Sequence, residues 1–163
     1  MIRQGIIREI EHEGSQTRKI LERIPIDSFG WKPHEKSKAI GELAIHVAQI
    51  PQWTSRIVTA PEVDILAMKR PLPEIRTADD LAKFSDENIQ KAMEDLQRAS
   101  DEDMMAVWTL RRGEHVVFAL PRVAAIRAMA MNHLIHHRGQ LTVYLRLLNI
   151  PVPGLYGPSA DEM

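Results

Sequence analysis

The sequence predicts an all-α fold, a four-helix bundle with one long crossover connection, and three observations point to it. Four long segments repeat their apolar residues at three- and four-residue steps, the period of a helix lying against a core. Prolines concentrate between those segments, at Pro25 and Pro33, at Pro61, Pro71 and Pro73, and at Pro121. The 163 residues suffice for one core and show no break in composition, so a single domain over residues 1–163 is expected.

The first helix is predicted over residues 2–23. Ile6, Ile10, Glu13, Thr17, Ile20 and Ile24 form its stripe, and two of these are polar. A carboxylate facing a core needs a cation or donors, so Glu13 is expected at a groove edge, in a polar pocket, or paired with an arginine. His12 lies off the stripe and reads as solvated surface. Pro25 ends the helix, and the turn-rich stretch to Pro33 offers Phe29 and Trp31 as plugs for one end of the core.

Ser37 is the expected cap of the second helix. Ala39, Leu43, His46, Ile50, Trp53 and Ile57 then step along one face, with His46 where an apolar residue belongs. Pro51 cannot donate to the carbonyl of Val47, and its ring crowds that turn, so a kink is predicted beside His46.

Residues 59–76 read as a connection long enough for the third helix to begin at the same end as the second. Thr77, Asp79 and Asp80 start that helix, and Leu81, Phe84, Asn88, Ala92, Leu96 and Ala99 carry its inner face. The stretch from Val107 to Phe118 alternates around Arg111-Arg112-Gly113, which fits a small hairpin or an irregular loop.

The last helix is expected from Pro121 to about Leu148, with Ile126, Ala130, His133, His137, Leu141, Tyr144 and Leu148 inward. His133 and His137 stand one turn apart on one face, so both can grip a single cation. His136 is turned about 100° away and cannot join them. With His46, three histidines occupy core stripes of two helices in a chain that has seven. Three separate core histidines would be a coincidence, whereas one shared ion accounts for all of them. His46, His133 and His137 are therefore the predicted ligands of one divalent ion per chain. Three neutral imidazoles with an open position suit Zn²⁺, Ni²⁺ or Fe²⁺, and no organic cofactor is called for.

Composition narrows the function. Lys plus Arg (21) balances Asp plus Glu (22), so no broad field points to nucleic acid or anionic lipid. No cysteine is present, which removes disulfides, thiolate ligands and a cysteine nucleophile. The early charges argue against a signal peptide and no apolar run spans a bilayer, so a soluble, cytoplasmic protein is expected.

Several motifs resemble the DinB/YfiT-like superfamily. They are Trp31-Lys32-Pro33, the run from Gly41 through Glu42 to His46, the run from His133 to Leu141, and the tail Pro151-Val152-Pro153-Gly154-Leu155-Tyr156-Gly157. The resemblance spans nearly the whole chain. It implies an up-down-down-up bundle, His46, His133 and His137 as ligands, and a homodimer. It does not by itself fix an activity, and two functions stand open. The first is a metal-dependent enzyme, a transferase of low-molecular-weight thiols ahead of a hydrolase, with a small-molecule substrate. The second is a catalytically silent metal-binding dimer with a structural or stress-related role. For an enzyme, Glu13 and Glu42 are the candidate bases or orienting groups. Tyr144 either lines the pocket or packs, and Arg138, off the histidine face, reads as an ion-pair partner. Apolar residues outside the main stripe of the last helix, Met129, Val143 and Leu147 with His136 among them, mark the expected dimer face unless the tail folds over them.

Overall fold

The structure, a computed structural model, describes residues 1–69 and 72–163; Pro71 of the predicted connection lies outside them. Helix α1 (Ile2–Leu21) ends four residues before Pro25 and packs on α4 (Ala78–Arg98) and α7 (Asn132–Leu147). Gly14 permits the α1–α4 approach, since a Cβ there would meet the Ile89 side chain at 2.7 Å. The second predicted helix is two pieces, α2 (Ile40–Gln49) and α3 (Gln52–Thr59), broken at Pro51 for the reason anticipated. It starts at Ile40, three residues after Ser37. There the Glu42 carboxylate accepts from the Ala39 N–H at 3.0 Å, so the first turn is satisfied from inside the helix. Thr77 caps α4 as expected: its hydroxyl accepts from the Asp80 N–H (3.1 Å) while Asp80 accepts from the Thr77 N–H (2.8 Å).

The fold is mostly helical and not all-α. Strand β1 (Glu62–Asp64) runs parallel to β2 (Val107–Arg112), which pairs antiparallel with β3 (His115–Pro121). A short helix, α5 (Asp101–Met105), precedes β2. The hairpin was one of two readings of the sequence. Strand β1 was missed because three residues within a proline-rich connection carry no period of their own. Gly113 turns the hairpin at φ +60°, and its N–H donates to Asp64 at 3.0 Å. The sheet thus ties the long connection to the hairpin.

Between β3 and α7 the chain forms a short α-helix, α6 (Arg122–Ile126), then a π-helical turn, Arg127–Met131. The wide turn has a packing reason. Ile126, Ala130, Leu134 and Arg138, all buried, recur every four residues. A straight α-helix would rotate each such step by about 40° off the face, and wider turns reduce that drift.

Two clusters form the core. One gathers around Trp108, with Trp53 packed edge-on at 6.5 Å, and includes Ile10, Ile57, Ile89, Leu96 and Met131. The other joins the end of α1 to α2, α7 and the tail through Ile20, Leu43, Val47, Ile50, Leu134 and Leu141. The seam between them passes Pro51 and the end of the π turn, where both inner helices depart from regular geometry.

Candidate metal centre

His46 on α2 and His133 and His137 on α7 converge at that seam. Their ring centroids stand 4.7–4.9 Å apart, and one nitrogen from each ring lies within 4.8 Å of the others. All three rings are half-buried. They flank the buried stripes rather than occupy their middles. On α7 the buried line is Leu134, Arg138, Leu141 and Leu145; it keeps Leu141 of the predicted stripe and takes the residues next to His133, His137 and Tyr144 in place of them. The π turn lies immediately before these residues, and the imidazoles remain half-buried rather than enclosed.

The orientation of two rings is set from behind. His133 Nδ1 donates to the Met129 carbonyl (3.3 Å), inside the π turn, and His137 Nδ1 donates to Gln140 Oε1 (2.6 Å). Each bond holds the Nδ1–H tautomer and leaves a lone pair on Nε2, the state a metal requires. His133 Nε2 faces His46 Nε2 at 3.2 Å, where two bare lone pairs would repel without a proton or cation between them. A tetrahedral ion with metal–nitrogen bonds of about 2.0–2.1 Å sets neighbouring nitrogens about 3.3 Å apart. The residues present fit a divalent ion by donor type, tautomer and spacing. Burial, and next the proximity of His137, hold the His133 pKa below the ordinary 6.5 against the opposing bond to Met129. A neutral ring is the form that binds metal.

The other candidates make different contacts. Glu13, for which an arginine partner was one of three expectations, and Arg138, read as an ion-pair partner, find one another: Arg138 Nη2 meets Glu13 Oε2 at 2.6 Å, with Arg138 1% and Glu13 5% exposed. Arg138 Nη1 also donates to the Glu13 carbonyl and the Thr17 hydroxyl. The polar pair Glu13 and Thr17 in the α1 stripe is therefore the receptor for Arg138. Tyr156 from the tail closes the network, accepting from Arg138 (2.6 Å) and donating to Glu13 (2.8 Å). Glu42 is exposed and caps α2. Tyr144 packs edge-on against Trp31 and donates to the Lys38 carbonyl.

Four contributors lie outside the predicted site residues. Gln140 stood in the quoted motif, three residues from His137, and helical spacing could have flagged it. The Met129 carbonyl and the Tyr156 hydroxyl had no periodic signal. Nor did Arg56, which lines a pocket beside His46 with Gln49, Gln52 and Trp53. Among the described residues no helix is long and apolar enough to cross a membrane.

A family model described as DinB family matches residues 1–163. The chain is 24% identical to an uncharacterized Bacillus subtilis protein, YrdA, over 96% of this chain and 89% of that one. It superposes on a DinB-like protein of Bacillus subtilis, YjoA, with a TM-score of 0.76 at 20% identity, covering 95% of this chain and 99% of the other. A DinB-like protein of Bacillus cereus matches with a TM-score of 0.71 at 25% identity, over 94% and 97%.

Proposed function

The chain belongs to the DinB family, and from that membership and the histidine cluster we propose that it is a metal-dependent transferase that joins a low-molecular-weight thiol to an electrophilic small molecule. The observation that carries the reading is the set of three imidazoles, each with a ring nitrogen within 4.8 Å of the others, two of them held through Nδ1.

His46, His133 and His137 would hold one divalent ion and leave it a further position. Such an ion supplies positive charge that lowers the pKa of a thiol or water entering that position. Met129 and Gln140 keep the imidazoles from turning or taking up a proton at the wrong nitrogen. The protein has no cysteine, so the thiol arrives as a cosubstrate. In the transfer a sulfur–carbon bond forms as the bond from carbon to its leaving group breaks. The leaving group takes the bonding pair, and the thiol proton passes to solvent. Among the described residues the cluster contains no carboxylate. Glu13 is committed to Arg138 and Glu42 to the start of α2. That supports thiol transfer ahead of hydrolysis, in which a positioned base commonly activates water.

The reading includes a homodimer through the outer face of α7. Val143 and Leu147 are 56% and 55% exposed on that face, and the tail from Pro151, packed against the second core cluster, leaves them so.

Metal-loaded protein is offered biological thiols with an alkyl halide or an epoxide, beside His46→Ala. Conjugation that needs the metal and His46 is expected. Equal rates with and without the metal site, across all thiols, would leave a silent metal-binding protein.

A further inference from the structure

The pocket beside His46 holds polar chemistry that the metal-centre reading does not use. Its volume is about 20 Å³, room for one or two water-sized atoms. One wall is His46 itself; the others include Gln49, Gln52, Trp53 and the half-buried Arg56.

Arg56 is held in place there. Its Nη1 donates to Gln52 Oε1 (3.1 Å), Gln52 Nε2 donates to Asn88 Oδ1 (3.1 Å), and Asn88 Nδ2 donates to the Ala48 carbonyl (2.9 Å). This chain of amides runs in one direction and ends on backbone. The guanidinium also lies over the Trp53 ring, 5.8 Å from its centroid. An arginine needed only for solubility would extend into solvent; this one is half-buried, lines the pocket, and is tied through Gln52 to Asn88 on α4 and from there to α2. Guanidinium is planar, permanently charged and matched in shape to carboxylate, so a fixed one in a small cavity is a recognition element for an anionic oxygen group. The break at Pro51 makes the arrangement possible. It sets Arg56 on α3 and His46 on α2 to line one pocket, which an unbroken helix would not ensure across ten residues.

We propose that this pocket is the subsite for a carboxylate, or an equivalent anionic group, on the molecule that enters the open position at the three-histidine centre, and that Arg56 recognises it. The substrate class is thereby narrowed to small bifunctional anions, with a metal-binding head and an acidic group a short chain away. The inference rests on the metal-centre reading, and the experiment separates the two.

The protein is loaded with Co²⁺ and its visible absorption is titrated at pH 7.5 with mercaptoacetate, 3-mercaptopropionate and 4-mercaptobutyrate, each beside its methyl ester. At least one acid is expected to bind roughly tenfold tighter than its ester, the strength of a charge-assisted hydrogen bond. In Arg56→Gln, with its cobalt content unchanged, that acid should bind no better than the ester; Arg56→Lys should restore part of the preference. Equal affinities for acid and ester throughout the series, or a preference that survives Arg56→Gln, would overturn the subsite while leaving the thiol reading intact. If cobalt binds and no thiol perturbs it, the thiol reading fails alone. The monohydroxamate of succinic acid against its methyl ester, in the native protein and Arg56→Gln, then decides the subsite. Failure to bind cobalt would overturn both.

Discussion

Gln140 and Glu13 show how one bond can decide a residue's role. Gln140 touches no ligand position, yet it fixes which nitrogen of His137 is protonated. Partners of this kind are worth roughly 10–100-fold in metal affinity. Gln140→Leu should therefore keep the fold and lose metal to a competing chelator at about that ratio, whereas His137→Ala should abolish stoichiometric binding by elemental analysis. Retention of one ion per chain by the variant lacking all three histidines would remove the site. Glu13 answers to stability. Removing it leaves the Arg138 cation buried, which costs about 3–5 kcal/mol, so Glu13→Ala should lower the denaturation midpoint sharply. Replacing both partners with leucine and methionine should recover most of that loss, because the unpaired charge is gone too. A small effect of Glu13→Ala would mean that the pair is solvated in solution.

At the scale of elements, the C-terminal tail and α7 depend on each other. Arg146 on α7 holds Asp161 through two bonds (2.9 and 2.7 Å), and Asp161 also accepts from the Val152 N–H (2.8 Å). Arg146 first, and Val152 next, lower the Asp161 pKa from the usual 3.8 to about 2. A carboxylate held down in this way stabilises the docked tail fully above pH about 4, and the effect is lost as pH falls from there toward 2. Protection of the Val152 amide, its exchange taken against the intrinsic rate at each pH, should fall over that window, and in Asp161→Asn it should already be low at neutral pH. A Val152 amide indifferent to both changes would show that apolar packing alone docks the tail. The outer face of α7 carries the prediction on assembly: Val143→Glu with Leu147→Glu should yield monomer by light scattering where the native chain gives dimer. A native monomer at micromolar concentration would remove that face as an interface.

For the whole molecule, the site lies where two apolar clusters meet and neither helix is regular. Within each cluster, Trp108, Leu43 and Leu141 exclude water and bring the helices close. At the seam, the break at Pro51 and the π turn at Arg127–Met131 open room for rings, a buried ion pair and a pocket. If the π turn sets the phase of α7, deleting Ala128 should straighten it and turn His133 and His137 away from His46. The deletion variant should then stay helical by circular dichroism while losing stoichiometric metal binding. Full binding in that variant would show that phase is set further along α7.

Much of this protein was determined by its sequence alone. Periodic apolar residues reveal a helix because the 3.6-residue turn is local, and polar residues interrupting such a stripe, Glu13, Thr17, His46, His133 and His137, betray groups that must be satisfied. The break at Pro51 was legible because proline acts on its own turn. Only the tertiary structure decided which partner each group takes. That Glu13 meets Arg138 and Tyr156, that the histidines flank the buried face, and that Arg56 lines the pocket beside His46 depend on helix phase and on residues up to 143 positions apart. Strand β1 belongs with these, since three residues become a strand only when β2 supplies their hydrogen bonds.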